Sequence, residues 1–374
     1  MNIDLTIIWA LIIVVAVFIY VVLDGFDLGI GILFNTFKVG HDRDTAMNSI
    51  APVWDGNETW LVMGGGGLLA AFPLAYGLIF SALYAPIIAM LLALVFRGVA
   101  FEFRWRDPGH QKFWDLAFTG GSFLAAFSQG VILGALLQGV SISGRSYAGG
   151  WWDWLTPFTL LTGLSLVVAY ALLGSTWLVM KAEGSLQRQA RSMAWWLGGA
   201  TLAAIVAVSI ATLFLSADYF SKWLNLPNLF WVAPVPLMVA LASVAFVRSL
   251  KAGHETAPFL LTLGVFLLSF VGLCISVFPY VIPGAVTIWA AAPDRSSQVF
   301  MLWGTALVLP MILGYTAWSY WVFRGKVNSD GYHARRFLFC PGPPSLRQAP
   351  MSLCHLFGAA CSGWRASGSR AFQY

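Results

Sequence analysis

Residues 61–80, LVMGGGGLLAAFPLAYGLIF, contain no charged side chain. A helix of about 20 apolar residues crosses the ~30 Å hydrocarbon core of a bilayer. By that rule the chain contains nine spans, near residues 7–32, 52–74, 77–100, 114–140, 156–180, 193–216, 231–249, 258–282 and 299–323. The second and third are parted only by a tight turn around Pro73–Gly77, and merging them gives eight. Composition agrees. Only 10% of residues are charged and 59% are hydrophobic, whereas a soluble domain carries about 25% charged residues. The sequence therefore predicts an all-α polytopic membrane protein.

Lysine and arginine resist translocation, so their distribution sets orientation. With nine spans, one side receives Lys38, Arg43, Arg104, Arg106, Lys112, Lys181, Arg188, Arg191, Arg248, Lys251, Arg324 and Lys326. The other receives Arg145, Lys222 and Arg295. Twelve against three predicts an outside N-terminus and a cytoplasmic C-terminus. The net charge of +5 lies in short loops between spans and gives no nucleic-acid signal. The first twenty residues lack a basic leader and a small-residue cleavage site, so they read as a retained first span.

Ionisable groups at membrane depth are costly and mark functional candidates. Asp24 and Asp27 lie in LDGFDLGIG at the end of the first span, three apart and so on one face. Gly25 and Gly29 beside them form a small-xxx-small pair that lets another helix approach. Asp55, Asn57 and Glu58 stand where the second span begins. Arg97 is the one basic residue assigned inside a span, with Glu102 just beyond it. A buried Arg97 requires a carboxylate, for which Asp27, Asp55 and Glu58 are at the right depth. Each group also has a plainer reading. The Asp24–Asp27 pair sits hydrated at the interface, Asp55 caps a helix, and Arg97 snorkels to the headgroups.

The run Gly64–Gly67 follows no strand and lacks the Lys-Ser/Thr ending of a phosphate loop, so close helix packing is its expected role. Trp151, Trp152, Trp154, Trp195, Trp196, Trp318 and Trp321 cluster at span ends, as an interfacial belt does. The histidines, His41, His110, His254, His333 and His355, all fall outside the predicted spans. That leaves no span histidine as a haem ligand, with methionine the remaining axial candidate, and the chain is expected to bind no haem itself. Cys274, Cys340, Cys354 and Cys361 have no zinc-type spacing, and no metal is expected. Residues 1–333 form the membrane domain. Residues 334–374 have an atypical composition, rich in arginine and proline and free of acids, and read as a disordered tail.

The segments DGFDLGIG, NSIAPVWDGNETWL, FRGVAFEFR, FPYVIP and YTAWSYW, in this order, resemble subunit II of the cytochrome bd-type ubiquinol oxidases, close to the cyanide-insensitive branch. The resemblance extends to about residue 333. It implies a subunit of a bacterial inner-membrane enzyme that oxidises ubiquinol and reduces oxygen to water, drawing protons from the cytoplasm. It implies two four-helix bundles plus one peripheral helix. It places the haems, two b-type and one d- or b-type, in a larger partner, subunit I, and none in this chain. A small single-helix accessory subunit belongs to some such complexes, and some members hold a structural quinone in subunit II. Asp24, Asp27, Asp55, Arg97 and Glu102 match positions of a proton path in that family, and Glu58 stands beside them. Two other classes remain: a secondary transporter coupled to protons through the same acids, and an assembly scaffold whose acids only cap helices or face water.

Overall fold

The structure is a computed structural model that describes residues 4–327. The predicted tail, residues 334–374, lies outside the described residues. Asp4 starts the first helix, its carboxylate accepting from the Thr6 amide at 2.9 Å, which satisfies one of the free N–H groups at a helix start. In chain order the helices are α1 Leu5–Leu33, α2 His41–Asn48, α3 Trp54–Ala71, α4 Pro73–Ala82, α5 Tyr84–Arg106, α6 Gln111–Gln138 and α7 Pro157–Lys181. They continue with α8 Gly184–Leu213, α9 Ala217–Leu224, α10 Asn228–Val232, α11 Pro234–Lys251, α12 Ala257–Val277, α13 Ile288–Ala291 and α14 Arg295–Val322. Two small hairpins, β1 Ile142–Ser143 with β2 Ser146–Tyr147 and β3 Tyr280–Ile282 with β4 Val286–Thr287, lie in connections.

Among the described residues, eight helical segments are long and apolar enough to cross a membrane, and nine if the bent pair α3–α4 is one crossing. That pair corrects the expected boundaries. The turn expected around Pro73–Gly77 is a 120° bend between Ala71 and Pro73, and the third span starts at Tyr84 rather than at residue 77. Phe72 has φ −140° and ψ 63°, outside the α region that a following proline disfavours. A second break at Leu83 detaches α4 from α5. The apolar pattern runs through both breaks, so hydropathy alone does not reveal them. α4 packs against β2, β3 and α13, all from connections at the same end of the molecule.

α1 is central. It packs on α3, α6 and α7, while α5 lies along α6, and α7 contacts α8 and α12. α11 and α12 pair with each other. α14 has no buried residue across its most apolar stretch, so it is peripheral to the rest. The closest approach is between α1 and α7. A Cβ built on Gly29 would overlap the Tyr170 carbonyl, and one on Gly174 would overlap the Gly29 backbone. The two backbones touch, as the Gly25–Gly29 pattern anticipates. Of the four-glycine run, only Gly64 and Gly67 face α1, through Val17 and Ile13, whereas Gly65 and Gly66 have open space where a Cβ would stand.

Candidate functional site

On α5, seven residues before Arg104 and on the same face, the Arg97 guanidinium is fully buried. Its Nη1 donates to Glu58 Oε1 at 2.7 Å and its Nη2 to Asp24 Oδ1 at 3.2 Å. Asp27 Oδ2 stands 3.8 Å from the same Nη2. The Trp54 ring lies 5.4 Å from the guanidinium carbon. Asp24 and Asp27 are also buried, so neither the hydrated reading of these acids nor the snorkelling reading of Arg97 holds in this chain. α6 can come this close because it presents Gly121, where a Cβ would press on the Ala93 carbonyl and the Arg97 backbone.

Asn57 completes the group. Its Nδ2 donates to Asp27 Oδ2 at 2.7 Å and to the Leu23 carbonyl at 3.3 Å. Its Oδ1 accepts from the Tyr320 hydroxyl of α14 at 2.9 Å. A helical turn before Asp24 on α1, Tyr20 accepts from Gln129 Nε2 at 2.7 Å, and Gln129 Oε1 accepts from the Tyr170 hydroxyl at 2.8 Å. Asp24 Oδ2, Asp27 Oδ1 and Arg97 Nε have no hydrogen-bond partner among the described residues. Three carboxylates face one guanidinium, so charge does not balance if all are ionised. In a low-dielectric interior such an excess is met by a proton, water or a further cation.

The Glu58 side chain is 27% exposed, so the cluster reaches the surface through it. Asp55, one turn before Glu58, is exposed. It does not cap α3: the N-cap is Val53, which makes no side-chain cap bond, and Asp55 sits in the first turn, where a negative charge suits the helix dipole. Glu102 is not part of the cluster. It is exposed and pairs with Arg106 at 3.4 Å on the outer face of α5.

A second buried group was not singled out by the sequence. Arg104 Nε bonds Asp115 Oδ1 at 2.6 Å and its Nη1 bonds Asp44 Oδ1 at 2.8 Å. Arg43 Nη1 bonds Asp115 Oδ2 at 2.6 Å. This group ties α2, α5 and α6 together near the charged ends of the helices. Tyr20, Gln129, Tyr170 and Tyr320 were missed too. Tyr20 stands four before Asp24 and so on its face, and Gln129 is a polar interruption of an apolar span. Both are signals a reader could have used. Cys274 is a free thiol in α12, and no group of three or more His, Cys, Asp or Glu among the described residues is arranged to hold a metal ion.

The family model described as cytochrome bd terminal oxidase subunit II matches residues 5–323. The chain is 30% identical to cytochrome bd-I ubiquinol oxidase subunit 2 of Escherichia coli strain K12, a match covering 86% of this chain and 95% of that one. It is also 30% identical to cytochrome bd ubiquinol oxidase subunit 2 of Bacillus subtilis, over 86% and 96% of the two chains. In fold it is similar to a chain of the bd oxidase from Geobacillus thermodenitrificans, with a TM-score of 0.72 at 18% identity, covering 86% of this chain and 98% of that one. By this match over residues 5–323, the chain belongs to the subunit II family of the cytochrome bd quinol oxidases, respiratory-chain membrane proteins of bacteria.

Proposed function

We propose that this subunit takes protons from the cytoplasm and passes them toward the oxygen-reducing centre of a ubiquinol oxidase in the inner membrane. The observation that carries this reading is the buried Arg97 cluster, in which Asp24 Oδ2 and Asp27 Oδ1 have no hydrogen-bond partner among the described residues. Asp55 and Glu58 form the mouth, and Asp24 and Asp27 hold the proton behind it. Arg97 keeps the three carboxylates within one hydrogen-bonding span without filling their free oxygens. The lysine and arginine bias supports a cytoplasmic mouth and a periplasmic N-terminus. Glu102 has no part in this route.

The haems supply the electron transfer and oxygen chemistry of the complex, and we assign them to subunit I. The described histidines, His41, His110 and His254, are exposed at helix ends, which does not suit a buried axial ligand. Subunit I is then the obligate partner, with ubiquinol and oxygen as substrates of the complex.

The test is oxygen consumption and proton uptake by the assembled complex in liposomes. Glu58→Gln and Asp24→Asn should lower turnover at least about tenfold, the lower range for losing a positioned proton-transfer group, and Glu102→Gln should leave it unchanged. Full turnover in assembled Glu58→Gln and Asp24→Asn complexes would leave the cluster a structural brace, a reading its direct Arg97 contacts also favour. Substrate uptake by this chain alone would instead revive a transporter.

A further inference from the structure

Between α1, α7, α12 and α14, at the end of the bundle that carries Asp27, lies a cleft of about 540 Å³. This is within the usual size of a small-molecule site. Its walls are Phe26, Phe259, Leu260, Leu263 and the ring of Tyr320. Its mouth carries Lys181, Arg324, Lys326 and Glu255. Lys326 and Glu255 neutralise each other at 2.8 Å. Lys181 and Arg324 do not find an acid: no carboxylate among the described residues is within ion-pair distance of either. Lys181 Nζ donates to the Phe323 carbonyl at 2.8 Å and stands over the Trp177 ring at 5.0 Å. Arg324 Nη1 donates to the Trp321 carbonyl at 2.8 Å.

Lys181 is only 8% exposed. A buried ammonium has three donors, and here one is used by a neutral carbonyl. Buried charges are paired as a rule, so the arrangement calls for an anion. Lys181 ends α7, and Arg324 follows the end of α14 by two residues. Both therefore stand at the depth where a helix leaves the hydrocarbon and lipid phosphates begin. The apolar walls run inward from that level. A free inorganic anion would use the two cations and leave these walls empty, whereas a lipid uses both.

We propose that this cleft binds one anionic phospholipid, its phosphate between Lys181 and Arg324 and an acyl chain along Phe259, Leu260 and Leu263. The site stands on the cleft itself and does not depend on the proton reading. Its inner wall is Tyr320, whose hydroxyl holds Asn57, so an occupant braces the helix that closes the acid cluster.

The experiment uses the complete oxidase complex, purified in mild neutral detergent. Phosphatidylglycerol or phosphatidylcholine is added, and retained lipid is counted by native mass spectrometry. One phosphatidylglycerol should be retained over phosphatidylcholine. A basic residue at a membrane surface is worth about a fivefold change in affinity, so the Lys181→Gln, Arg324→Gln double variant should bind about twenty- to thirtyfold more weakly. Leu263→Trp, which keeps both cations and fills the cleft, should also release the lipid. If the double variant does not assemble, Arg324→Gln alone should weaken retention about fivefold. Equal retention of phosphatidylcholine would overturn the site. So would a quinone recovered in place of the lipid, displacement by millimolar inorganic phosphate, or undiminished retention in Leu263→Trp.

Discussion

The hydroxyl of Tyr320 donates to Asn57 Oδ1 at 2.9 Å, across 263 positions of sequence. The contact fixes the Asn57 amide, whose nitrogen then points at Asp27. It also makes α14, otherwise loosely attached, a wall of the acid cluster. Asn57→Leu removes the donor to a buried carboxylate and should cost about 1–3 kcal/mol, while Tyr320→Phe loses one hydrogen bond and should cost about 1 kcal/mol. Denaturation midpoints of the purified complex should rank wild type above Tyr320→Phe above Asn57→Leu.

Among the described residues, Arg97 is the sole basic partner of Asp24, Asp27 and Glu58. Breaking a buried charge pair from one side costs about 3–5 kcal/mol. Arg97→Met should therefore abolish assembly, seen as loss of the chain from membranes on immunoblotting. Arg97→Lys should not restore it fully, because an ammonium lacks the planar fork that addresses Glu58 and Asp24 together.

Gly29→Ala forces a methyl into the Tyr170 backbone and should destabilise by about 1–3 kcal/mol. Gly199→Ala is the control: nothing lies near its Cβ position, and alanine in mid-helix is favoured over glycine by about 0.5–1 kcal/mol. Opposite signs in the thermal midpoints would confirm that the α1–α7 contact, and not glycine loss in general, is responsible.

Glu255 lies outside the spans. The Lys326 ammonium and then the Gln187 amide, each at 2.8 Å, hold its carboxyl below the usual range. A carboxyl depressed in the folded state contributes stability above its ordinary pKa and loses it as pH falls through the depressed value. Wild type should therefore exceed Glu255→Gln in thermal midpoint at neutral pH, and the gap should close in acid. A gap independent of pH would show that the pair contributes nothing through charge.

The spans and the meeting of Arg97 with Asp27 and Glu58 were legible because they depend on local apolar length and on the cost of an unpaired charge. Asp24 was legible as a helix-face neighbour of Asp27. The capping role expected of Asp55 fails, because α3 begins at Trp54 and residue 55 falls, exposed, in its first turn. Glu102 lies on the outer face of α5, off the buried face that carries Arg97 and Arg104, and Arg106, one turn on, takes it instead. The Asp115–Arg104–Arg43 group was hidden among loop charges. Tyr320 depends wholly on where the last helix docks, which periodicity does not encode.

The bend at Phe72–Pro73 has a mechanical result for the lipid. α3 has 18 residues, about 27 Å of rise, and its first turns are taken by Asp55, Asn57 and Glu58. The apolar remainder, residues 59–71, spans only about 20 Å against a ~30 Å hydrocarbon core. A span this short is met by thinning of the bilayer, by snorkelling of its flanking residues or by association with other helices. Thinning along α3 would bring the headgroups toward Glu58 and shorten the distance water must travel to reach the acids.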